Sequence, residues 1–122
     1  MDDYEFAYAF QEKLERYLRE TSDADFCLNP PQALAFASLV NQIQNLANQF
    51  GGSIEPIELV PRICCGSVTA SFPLLDFCGI DLWRFSGILQ YASAFSIEAL
   101  DDGSVCVSLN IPNVFVLKDG NI

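Results

Sequence analysis

The sequence predicts an α+β fold: two N-terminal helices, then strand, strand, helix, strand, strand, with a mainly antiparallel sheet covered by helices. Three observations carry that prediction. Apolar residues recur at helical spacing through the first fifty positions, and they switch to a two-residue period after Gly52. An Asp-Asp-Gly triplet at 101–103 then joins two alternating runs, as a hairpin requires. The 122 residues match the commonest domain size, and no repeat or linker divides them, so a single domain over 1–122 is expected.

The first helix is expected over Asp3 to Arg19. Phe6, Phe10, Leu14, Tyr17 and Leu18 share one side. Glu12 with Arg16 and Glu15 with Arg19 are i,i+4 pairs in the favourable acid-first order. Acids gather at its start and arginines at its end, as the helix dipole prefers.

A second helix should begin at Pro30 and Pro31, with Asn29 as its cap, and stop at Gly51 and Gly52. Phe36, Ile43 and Phe50 mark its apolar side. The other side carries Asn41, Gln42, Gln44, Asn45, Asn48 and Gln49, an uncharged amide face where helices normally show Glu and Lys.

Beyond Gly52, Ile57, Leu59, Ile63 and Cys65 alternate with Glu58 and Arg62. Pro56 and Pro61 mark this run as an edge strand or one broken by a bulge. Gly66 reads as a bulge or turn, after which Val68, Ala70 and Phe72 alternate with Ser67, Thr69 and Ser71. A third helix is expected over Asp81 to Ala94, capped by Asp81, with Leu82, Phe85, Leu89 and Ala92 as its stripe. Phe95, Ile97 and Ala99 pair across the hairpin with Val105, Val107, Leu109 and Ile111. Val114 to Leu117 form a short last strand.

Composition narrows the function classes. Half of the chain, 51%, is hydrophobic and 18% is charged, enough apolar material for a core. No run of about 18 apolar residues offers a membrane span. The opening Met-Asp-Asp-Tyr-Glu lacks the basic start and apolar stretch of a secretory signal, which predicts a cytoplasmic protein.

The formal net charge of −10 repels phosphate backbones and anionic membrane surfaces. Direct nucleic-acid binding and membrane binding are therefore not expected. Residues 1–25 hold eight acids and three bases, whereas Phe26–Ile54 and Gly103–Leu117 hold no charge at all. Neutral stretches of that length point to a core or a subunit contact.

The five cysteines invite metal or thiol chemistry. Their number is odd and no Cys-x-x-Cys pair occurs, which fits reduced thiols better than a disulfide framework. The chain has no histidine, the usual companion of a zinc thiolate or a nucleophilic cysteine. Cys64 and Cys65 are the candidate reactive thiols, with Arg62 as their cationic neighbour. Strand parity sends Ile63 and Cys65 to one face and Arg62 and Cys64 to the other. Small buried hydrophobes in a strand explain the pair more simply. Asp81 and Asp102 have ordinary duties as cap and turn former. No catalytic residue, cofactor or metal ligand is therefore assigned.

Recognition remains. Asn41, Gln44, Asn45 and Asn48 on the second helix, with Trp83 and Arg84 on the third, are the candidate interface residues. Trp and Arg are favoured interface anchors, although a lone Trp in a small domain more often sits in the core. The leading expectation is a non-enzymatic cytoplasmic protein-interaction or regulatory domain, homodimeric, with a protein partner. Two rivals stand beside it. One is an acidic inhibitor whose N-terminal acids mimic nucleic acid in a basic groove. The other is a small-molecule binder or thiol enzyme using the cysteines.

Overall fold

In a computed structural model, the described residues are 3–20, 26–55, 58–60 and 65–117. Their elements run α1 (Asp3–Glu20), β1 (Phe26–Leu28), α2 (Pro30–Gln49), β2 (Ser53–Ile54), β3 (Glu58–Val60), β4 (Cys65–Pro73), α3 (Leu74–Cys78), α4 (Leu82–Leu89), β5 (Ala94–Ala99), β6 (Ser104–Ile111) and β7 (Phe115–Leu117). The main sheet has the order β2-β4-β6-β5, and β3 lies beside β4 on the same edge as β2. Every pairing is antiparallel. The fold is α+β, as the alternation and hairpin signals require.

The helices cover one face of the sheet. Val68, Ala70 and Phe72 of β4 and Val105, Val107, Leu109 and Ile111 of β6 point into the core beneath α2. From α2 come Phe36, Leu39, Val40, Ile43 and Leu46, all buried. Helix α1 adds Phe10, Leu14 and Leu18, and the Phe10 ring meets Phe36 edge-on at 5.3 Å. That geometry suits the opposite charges of a ring's face and edge. The opposite face of the sheet holds small and polar side chains, with Thr69 and Ser108 hydroxyls 3.2 Å apart across β4 and β6.

Helix α2 ends as its glycines dictate. Gly51 takes the left-handed conformation at φ 69°, and the Gly52 amide bonds back to the Ala47 carbonyl at 2.7 Å. This is a Schellman closure. At the other end, Asn29 holds the cap position without a side-chain cap bond. Its amide instead donates to the Val114 carbonyl at 2.9 Å, extending a two-stranded ribbon in which Phe26, Cys27 and Leu28 pair with Leu117, Val116 and Phe115. Three residues of β1 were too few to show a period, so only β7 was expected.

The region around Gly66 differs from its sequence reading. Val60 and Cys65 are direct partners across the antiparallel β3–β4 pair, and β4 starts at Cys65 and runs straight through Gly66. Glycine is required here by packing: a Cβ would stand 2.5 Å from the Phe36 ring. Cys65 shares the parity of Ser67, Thr69 and Ser71 and is half-buried on the face away from the helices. Ile57, Arg62, Ile63 and Cys64 lie outside the described residues.

Helix α4 is shorter than its apolar stripe implied, because Gln90–Ser93 form turns and Ser93 donates to Asn110 at 2.8 Å to open β5. Asp81 caps α4 as expected, its carboxylate accepting from the Trp83 amide at 2.7 Å. A single turn, α3, precedes it and hands Phe77 to the core, in contact with Phe72 and Phe85. In the β5–β6 turn, Asp102 accepts hydrogen bonds from the Ser104 hydroxyl and amide. Those bonds, the hydroxyl's first, hold its carboxyl below the usual range.

Candidate functional site

Helix α2 lies between α1 on one flank and α4 on the other, and its amides form the crest between two grooves. The α1–α2 groove, about 500 Å³, is lined by Phe6, Phe10 and Lys13 on one side and Asn41, Gln44 and Asn45 on the other. The α2–α4 cleft, about 280 Å³, places Gln42 and Asn45 opposite Trp83, Arg84, Gly87 and Tyr91. Three of the six residues expected at an interface, Asn45, Trp83 and Arg84, thus meet in one cleft. Asn41 and Gln44 belong to the other groove, with Asn45 shared by both, and Asn48 lines neither.

The local geometry follows from the cap and the helical turn. Asp81 fixes the first turn of α4, and a rotation of about 100° per residue sends Phe85 and Ile88 inward, where both are buried. Trp83 then projects from the outer side and is 86% exposed, against the usual tendency of a lone Trp to enter the core. Gly87 leaves the cleft open, since a Cβ there would meet nothing within 4 Å. The uncharged amide face also gains an explanation: flanked on both sides by helices, α2 shows solvent only a narrow crest. Amides can donate and accept there without the desolvation cost of a charge.

The described cysteines do not assemble. Cys27 sits in the β1–β7 ribbon, Cys65 at the start of β4 and Cys106 within β6 opposite Ser71. Cys78 ends α3 and is exposed. Among the described residues, no group of three or more metal-ligating side chains converges. The ten phenylalanines serve mainly inside: Phe10, Phe36, Phe72, Phe85 and Phe115 are buried. Sequence reasoning missed Gln42, Gly87 and Tyr91. Gly87 stands four residues after Trp83 and Tyr91 four after that, so helical spacing carried the signal. No helix among the described residues is long and apolar enough to cross a membrane. Comparison of the chain with family models, curated proteins and solved structures gave no match.

Proposed function

We propose that this protein is a non-enzymatic, cytoplasmic protein-interaction domain that engages a partner protein through the α2–α4 cleft. The observation that carries this reading is Trp83: an 86% exposed indole beside Arg84, Tyr91 and the amides Gln42 and Asn45. Leaving a large aromatic in water forgoes apolar burial of roughly 1.5–3 kcal/mol, and aromatic and arginine side chains are the usual anchors of a docking surface. The amide rim suits an extended peptide, whose backbone needs donors and acceptors in alternation. The mostly uncharged surroundings of the cleft set it apart from the acidic remainder of the chain.

Trp83 is the sole tryptophan, so its fluorescence reports on this surface alone. Affinity capture with the wild-type protein and with Trp83→Ala tests the reading. A partner retained by the wild type should be lost by the variant, and binding of the purified partner should shift the indole emission to the blue. Identical capture by the two proteins, with no change in emission, would overturn the reading.

A further inference from the structure

We infer that β5 is a homodimerisation edge, along which two copies of this chain join their sheets across a two-fold axis. The inference deepens the reading of the protein as an interaction domain and rests on a different surface from the Trp83 cleft.

The backbone supplies the first observation. β5 ends the strand order, and among the described residues only β6 pairs with it. The Leu100 amide donates to the Ser104 carbonyl at 2.8 Å, in the same register as the Ala99–Val105 and Ile97–Val107 partners. Hydrogen-bonded positions alternate in an antiparallel pair. Ser96 and Glu98 therefore aim their amides and carbonyls at β6, while Phe95, Ile97 and Ala99 aim theirs outward. Pairing Ile97 with Ile97 of a second copy, and Phe95 with Ala99, uses all of those outward groups. The same register repeats itself under two-fold rotation, as an isologous contact must.

Side chains supply the second. Phe95 and Ile97 lie opposite Leu109 and Val107, on the face that carries the helices, yet remain 53% and 44% exposed. The flank of α4 away from α2 carries Leu82, 79% exposed, and Leu89. In the paired register these groups extend the core of each copy into the other. Phe95, Ile97 and Leu82 leave roughly 300 Å² of apolar surface per copy. With the strand backbones added, the contact reaches roughly 600 Å² per copy, the lower part of the range for specific association.

Charge supplies the third. Two copies of a chain of net charge −10 repel one another except where their surfaces are neutral. From Leu82 to Ala99 the charges are one Arg84 and one Glu98. In the proposed register Glu98 faces Ser96 of the second copy, so no like charges stand directly opposite.

Sedimentation equilibrium across tens to hundreds of micromolar tests the proposal. The wild type should fit a monomer–dimer equilibrium. Ile97→Lys, which sets two lysines opposite each other, should weaken it at least tenfold while leaving the circular dichroism spectrum unchanged. Ala99→Pro is a second variant: it removes an outward amide without touching the β6 ladder, and it should also stay monomeric. Ser53→Lys on the far edge should dimerise like the wild type, and so should Trp83→Ala, which separates this proposal from the cleft reading. A wild type that remains monomeric throughout, or edge variants that associate as it does, would overturn the inference.

Discussion

Along one edge of the main sheet, β2 and β3 share the side of β4 as two short strands. Along the other, β5 runs six residues without a break. β2 has two residues and β3 three. Bulges, prolines and short strands are the devices by which sheets blunt an exposed edge. The β5 edge has none of them, and its one charged residue, Glu98, points to the face away from the helices. The difference teaches that the chain closes one side of its sheet to further strands and leaves the other competent to accept one.

Perturbing the blunted side should act on the stability of the single copy. Gly66→Ala would drive a Cβ into the Phe36 ring, 2.5 Å away in the present packing. Overpacking of this kind costs about 1–3 kcal/mol, so the urea midpoint of the variant should fall while its dimerisation is unaffected once folded. A smaller effect is expected at α4. Asp81→Ala removes the side-chain acceptor of the Trp83 amide, a loss of about 1 kcal/mol readable in the same urea titration. It should also loosen Leu82 and Trp83 together, because both hang from the turn that Asp81 fixes. Smallest of all, Ile97→Lys should change the stability of the monomer by no more than about 0.5 kcal/mol, since its side chain is half in water already.

The same contrast separates what was legible in the sequence from what was not. Long amphipathic runs and the Asp-Gly hairpin announced α1, α2, β5 and β6, because those segments carry several turns or pleats of consistent pattern. β1 and α3 are too short to show a period and exist through tertiary partners: Asn29 and Leu28 are held by Val114 and Phe115, and Phe77 by Phe72 and Phe85. Gly66 looked like a turn because composition does not show that a phenylalanine from α2 occupies the space of its missing side chain. The apolar alternation of Phe95, Ile97 and Ala99 announces one strand of the hairpin, which pairs with β6. What the pattern could not carry is that α4 is short and that this edge extends beyond its cover. For the cleft, residue type points to Trp83 and Arg84 and the amide face of α2 to Asn45; their convergence comes from the packing of α4 beside α2.

Backbone amide exchange along β5, followed at low and high protein concentration, tests the central claim most directly. Ser96 and Glu98 face β6 and should be protected at both concentrations. Phe95, Ile97 and Ala99 should exchange quickly when dilute and become protected as the concentration rises, giving an alternation that only edge pairing produces. Exchange at those three amides that is indifferent to concentration would contradict the account.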